Sequence, residues 1–196
     1  AAEKKWHRFW ENNDTYRYLP STEEVKRFVV DTPPPTVSGS LHIGHVFSYT
    51  HTDMIVRYRR MIGDSIYYPM GWDDNGLPTE RRVQNYYHVQ CDPSLPYEEN
   101  LQVEPANAKI RKKPARRVSR RNFIELCNTL TLEDEKAFKE LWQKAGLSVD
   151  WEETYATIDD RARKIAQLSF LDLYEKGHIY NIESPTMWDV DFQTAV

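Results

Sequence analysis

Asp31-Thr32-Pro33-Pro34-Pro35-Thr36-Val37-Ser38-Gly39-Ser40-Leu41-His42-Ile43-Gly44-His45 reads as a strand end, a stiff loop and the start of a helix carrying two histidines. Upstream, Arg27 to Thr32 (RFVVDT) is a short β-branched and aromatic run, which is strand composition. Prolines close it, because proline has no N–H to give to a sheet ladder. Three in succession remove three donors and leave every C=O, so the loop offers acceptors to a cationic ligand at low entropic cost. Gly39 permits a tight turn, and from Gly44 onward Val46, Tyr49, Asp53, Ile55, Val56 and Tyr58 continue as a helical run with no proline. His42 and His45 are three residues apart and share the face where that helix begins. The uncapped N–H groups and positive dipole end there suit a triphosphate. Gly44, with no Cβ, lets a flat base lie on the backbone. Two helix-capping histidines without a ligand are the alternative, and the PPP and GSL flanks favour the nucleotide site.

The helix is expected to stop after Arg57, Arg59 and Arg60, whose charges match its C-terminal dipole, at Gly63-Asp64. Ser65 to Met70 (SIYYPM) then reads as the second strand of a right-handed β-α-β crossover. Ligands of such sheets bind beyond the carboxyl ends of the strands. The proline loop and the next motif, Gly71-Trp72-Asp73-Asp74-Asn75-Gly76-Leu77-Pro78-Thr79-Glu80, therefore share one edge. Asp73 is expected past the strand, pointing into the crevice. Asp74 and Asn75 can cap the helix beginning near Leu77, which leaves Asp73 for a ligand.

This pattern resembles the HIGH signature of the class I aminoacyl-tRNA synthetases, and PPPTVSGSLHIGH is most similar to the valyl members. GWDDNGLP departs from the GTDHAG form commoner among them and is closer in outline to the GWDCHGLP of isoleucyl members. The resemblance covers Trp6 to Val196. It implies an α/β fold, a Rossmann-like parallel sheet with flanking helices, of which this chain is the N-terminal half, truncated near the editing-domain insertion. It also implies activation of valine with ATP and Mg²⁺, then transfer to tRNA(Val). By position, Gly39, His42, Gly44 and His45 would bind ATP, with His42 and His45 as the catalytic pair. Asp73, with the carbonyls of Pro34 and Pro35, would hold the α-ammonium of the amino acid. Isoleucyl or leucyl specificity is the alternative within the family. A nucleotidylyltransferase, or a non-catalytic binding fragment, is the alternative outside it.

Composition agrees. With 196 residues, 40% hydrophobic and 29% charged, the chain has the make-up of a soluble globular domain and not of a transmembrane or disordered one. AAEKKWHRFWENN has no apolar core of a secretory signal, and Cys91 and Cys127 are too few for a disulfide framework. A cytoplasmic protein without a membrane partner, monomeric at full length, is expected. No metal site is expected: His88 and Cys91 have no second ligand pair. The net charge of −4 does not make a nucleic-acid glove of the whole. Lys109 to Arg121 is the one basic concentration, and no aromatic is interleaved there to stack bases.

Four segments follow. Residues 1–26 are an N-terminal helical segment whose Trp6, Phe9 and Trp10 form a packing face, ending in a turn at Ser21 to Glu24. Residues 27–90 are the first half of the nucleotide-binding domain, and 91–118 a basic surface loop. Residues 119–196 are a helical insert and strands leading to the editing-domain junction. Within that last segment, a helix over Ser119 to Leu130, a second from Thr131 to Gly146, and a third from Asp159 to Gly177 are expected. In the third, Ala162, Ile165, Ala166, Ser169 and Leu173 would share one face, and His178 to Ile182 and Thr186 to Phe192 read as strands. No lysine loop of the KMSKS type is present, so the chain alone is expected to be catalytically incomplete.

Overall fold

β1 (Arg27–Val29) is preceded by α1 (Ala2–Asn12) and followed, past the proline loop, by α2 (Ile43–Met61) and β2 (Ser65–Tyr67). These are the first elements of a computed structural model that describes residues 2–20, 25–38, 41–191 and 194–195. The expected turn at Ser21 to Glu24, and Gly39, lie outside the described residues. β1 and β2 pair in parallel with Phe28 opposite Ile66, as the crossover reading requires. The strand read as Ser65 to Met70 is split at Tyr68-Pro69 and resumes as β3 (Met70–Trp72). Proline cannot donate to a ladder, so the pairing lapses there and continues beyond it.

β3 pairs in parallel with β6 (Thr154–Ala156), and an isolated bridge joins Thr36 to Asp73. The run 65–73 thus lies between the β1 stretch on one side and β6 on the other. Between β3 and β6 come α3 (Leu77–Tyr87), β4 (Val89–Cys91), β5 (Arg116–Val118) and α4 (Arg120–Ala145). β4 and β5 form a parallel pair, so the basic segment is not wholly a surface loop, as the sequence suggested. A single 3₁₀ turn, Ile110–Lys112, lies within it.

α4 corrects the expectation of two helices. It runs unbroken through Thr131, because no glycine or proline interrupts it and the Thr131 hydroxyl donates to the Asn128 carbonyl of its own helix. Its N-cap is Ser119, whose hydroxyl accepts from Asn122 N–H at 3.2 Å, and Gly146 closes it at φ +77°. The main core joins Val30, Val37, Tyr49, Val56, Met70, Trp72, Phe138 and Trp142; a second gathers Val83, Val89, Val118, Phe123 and Leu130.

Asp53, on α2, is the polar pin of the larger core. Its carboxylate accepts from the Ser148 N–H at 2.7 Å, the Ser148 hydroxyl at 2.6 Å and Arg57 Nε at 2.7 Å. Arg57 also donates to the Gly146 carbonyl, and Arg60 to Ser148 O at 3.3 Å. Of the three arginines expected to serve the helix dipole, Arg57 and Arg60 therefore tie α2 to the turn after α4, while Arg59 pairs with Asp64 at 3.0 Å. Trp6 and Phe9 are half exposed, so the expected aromatic packing face of α1 rests mainly on Trp10, over which the Arg57 guanidinium lies 5.6 Å from the ring centroid.

Residues 1–159 form one compact unit and 160–196 another. The second contains α5 (Asp160–Glu175) and an antiparallel pair, β7 (Trp188–Asp189) with β8 (Thr194–Ala195). Gly177 follows α5 at φ +73°, and no residue of α5 is buried. His178 to Ile182 is not a strand: among the described residues it has no ladder partner. Phe192 lies outside the described residues.

Candidate active site

The proline loop is anchored at both ends. Tyr49, one helical turn beyond His45, donates its hydroxyl to the Pro33 carbonyl at 2.6 Å. Burial drives its phenol up to about 12, so it stays a donor. At the other end the Pro35 carbonyl accepts from Asp73 N–H at 2.9 Å, and Asp73 O accepts from Val37 N–H at 3.2 Å. Two of the three proline carbonyls thus already hold a donor, and each retains a second lone pair for a ligand. Pro35 is buried and Pro34 half-buried.

His42 is the N-cap of α2, with extended backbone, and His45 occupies its third position. Their rings stack at 3.8 Å between centroids. His42 N–H makes a long bond of 3.4 Å to His45 Nδ1, which puts the proton of the neutral His45 ring on Nε2 and makes that nitrogen its donor. Burial first, and then His42, hold the His45 imidazole below its ordinary value. Phe138 and Trp142 meet the His45 ring edge to face at 5.3 and 6.5 Å, while His42 is exposed. A Cβ on Gly44 would come 3.0 Å from His42 Nδ1, so a side chain there would crowd the pair. The capping geometry and the ligand reading coexist.

Asp73 directly follows β3. Its Oδ2 accepts from the Thr36 hydroxyl at 3.1 Å, and its Oδ1 from Asn75 N–H at 3.2 Å and the Thr157 hydroxyl at 3.4 Å. By strand alternation Gly71 shares its face. A Cβ on Gly71 would lie 2.3 Å from the Tyr155 ring, which covers that position. Neither expected aspartate or asparagine caps α3: its N-cap is Gly76 at φ +84°, with Pro78 in the first turn.

Asp74 is instead buried and faces Glu135 of α4. Two ionised carboxylates cannot bond to one another, and Asp74 then has no donor on either oxygen. One shared proton resolves this. Burial, followed by the hydrogen bond and charge of Asp74, pushes Glu135 up to about 8, and burial raises Asp74 as well. The pair therefore holds one proton between them.

The sequence pattern brings His42, Gly44, His45, Pro34, Pro35 and Asp73 to one loop-and-turn system. Thr36, Tyr49, Thr157 and the Asp74–Glu135 pair are additional. Tyr49 had a signal, four residues after His45 on the helical run; Thr36 and Asp74 lie inside the two motifs but are not read as site residues from the sequence, and Thr157 and Glu135 had no signal. A cavity of ≈ 170 Å³ lies beside Trp10, Tyr16, Leu147 and Trp151, with no lining residue from either motif.

Parallel strand pairs whose first crossover delivers two histidines to a helix start, with an aspartate at the neighbouring strand end, define an α/β fold of the Rossmann type. The family described as tRNA synthetases class I (I, L, M and V) matches residues 5–95 and 91–196, and the chain belongs to that family. It is 59% identical over 196 residues to a protein of Salinispora tropica named valine–tRNA ligase, covering 100% of this chain and 22% of that protein. A Thermobifida fusca protein of the same name is 57% identical with the same coverage. The chain thus spans about a fifth of the length of these curated relatives. In structure it is similar to the agnB2 LeuRS of Agrobacterium radiobacter K84, solved as a ternary complex with tRNA and LeuAMS. The TM-score is 0.69 at 25% identity, over 99% of this chain and 20% of that one.

Proposed function

We propose that the chain is part of an enzyme that joins valine to ATP, giving valyl-adenylate and pyrophosphate, and then transfers valine to the 3′-terminal adenosine of tRNA(Val). The observation that carries this reading is the 59% identity, across all 196 residues, to a protein named valine–tRNA ligase. Asp73, with the Pro34 and Pro35 carbonyls, holds the ammonium of valine. The valine carboxylate attacks the α-phosphate in line, and pyrophosphate leaves. Such a step needs positioning and charge stabilisation, with no covalent enzyme intermediate.

Gly39 and Gly44 give the nucleotide room. His45 donates from Nε2 to phosphate oxygen, together with His42 and the α2 N-terminus. Mg²⁺ enters with ATP, on its phosphates. No described helix is long and apolar enough to cross a membrane. As a separate part of the proposal, the full-length enzyme acts in the cytoplasm as a monomer. The test is ATP–pyrophosphate exchange by the full-length protein with valine, isoleucine, leucine and threonine in turn. Valine should give the highest kcat/KM, and a higher value for isoleucine would overturn the assignment.

A further inference from the structure

The Asp73 carboxylate is gripped from both sides by hydroxyls that come from far apart in the chain. Thr36 lies on the loop after β1 and Thr157 one residue beyond β6, so each neighbouring segment of the sheet supplies one. Both hydroxyls are themselves oriented. Thr36 is fixed opposite Asp73 by the bridge between them. Thr157 N–H donates to Trp72 O at 2.9 Å, and its Oγ1 accepts from Asp74 N–H at 3.2 Å. With that lone pair used, the hydroxyl proton is directed to Asp73.

We propose that Thr36 and Thr157 are positioning residues for amino-acid binding, which lock the Asp73 carboxylate in place before the ammonium arrives. This rests on the reading of Asp73 as the ammonium holder. A carboxylate has about four acceptor positions. Thr36, Thr157 and the Asn75 N–H use three of them, so acceptor capacity remains for an ammonium N–H. An unrestrained aspartate would populate several rotamers and lose that freedom on binding; one already ordered does not. The threonines touch Asp73 and not the ligand, so their loss is felt by the amino acid and not by ATP.

The test uses Thr36→Val and Thr157→Val, which replace the hydroxyl by a methyl of similar size, alongside Thr36→Ser and Thr157→Ser, which keep it, in the full-length protein. A hydrogen bond to a charged group is the kind being removed, so each valine substitution should raise the KM for valine about 10-fold and leave the KM for ATP unchanged. The double valine variant should exceed either single one, and the serine variants should restore binding. A fall in melting temperature with both KM values unchanged, or valine KM values that serine does not restore, would overturn the proposal. Asp73→Asn separates the two layers. If it raises the valine KM while the valine-substituted threonines do not, the positioning role alone fails. If it leaves the valine KM unchanged, the assignment of Asp73 fails and this inference with it.

Discussion

The Pro35 carbonyl accepts the Asp73 N–H at 2.9 Å, so the proline loop and the Gly-Trp-Asp turn are consecutive rungs of one ladder. The return bond from Val37 N–H to Asp73 O, 3.2 Å long, ties the two motifs together a second time. A ligand that touches both meets a single preformed surface, which lowers the ordering cost of binding.

The two histidines should separate under substitution. His42 is exposed and stacks on the His45 ring, whereas His45 also packs on Phe138 and Trp142. His42→Ala should slow adenylate formation by about 10²-fold, the usual loss for one transition-state donor, with little change in melting temperature. His45→Ala should lose both rate and stability. Single-turnover adenylate formation and thermal unfolding of the full-length variants give the two readouts. Normal chemistry with lowered melting for His42→Ala would mark that residue as a helix cap only.

Asp53 predicts a stability effect without a change at the site. It is 5% exposed and satisfies Ser148 twice and Arg57 once. Asp53→Ala leaves a buried N–H and hydroxyl without their acceptor and should cost about 3 kcal/mol. Asp53→Asn retains one acceptor and should cost less. Urea unfolding monitored by tryptophan fluorescence measures both, and equal midpoints for wild type and Asp53→Ala would refute the pin.

The Asp74–Glu135 pair sets a pH dependence of defined sign. Asp73 and Asp134 face Asp74 with like charge, and Asp134 is itself paired with Arg82 at 3.1 Å. Glu135 rises from 4.5 to about 8 on folding, so between those values the folded chain holds a proton that the unfolded chain has released. Its contribution to stability is complete below pH 4.5 and is lost as pH rises through about 8. Glu135→Gln donates to Asp74 at every pH. Melting temperatures from pH 5 to pH 9 should show the variant gaining on wild type as pH rises; parallel curves would contradict the shared proton.

Local chemistry explains which parts could be read from the sequence. The prolines at 33–35, the glycines at 71 and 76, and the three-residue histidine spacing are short-range signals, and β1, α2 and the strand leading to Asp73 follow from them. β4 and β5 were hidden because a three-residue strand bearing two arginines carries no alternation, and its pairing is set by distant burial of Val89 and Val118. Continuous α4 was hidden by Thr131-Leu132-Glu133-Asp134, which imitates a capping box but leaves no residue free of the helix. Thr157 gave no sign at all: it reaches Asp73 across 84 residues of chain.

The most direct measurement of the account is the KM of the full-length protein for valine and for ATP with Asp73→Asn beside the wild type. Losing the charge that meets the ammonium should weaken valine by about 10- to 100-fold, the range for a charge-assisted bond, and leave ATP unchanged. Equal losses for both ligands, or none for valine, would contradict the placement of the amino acid at Asp73.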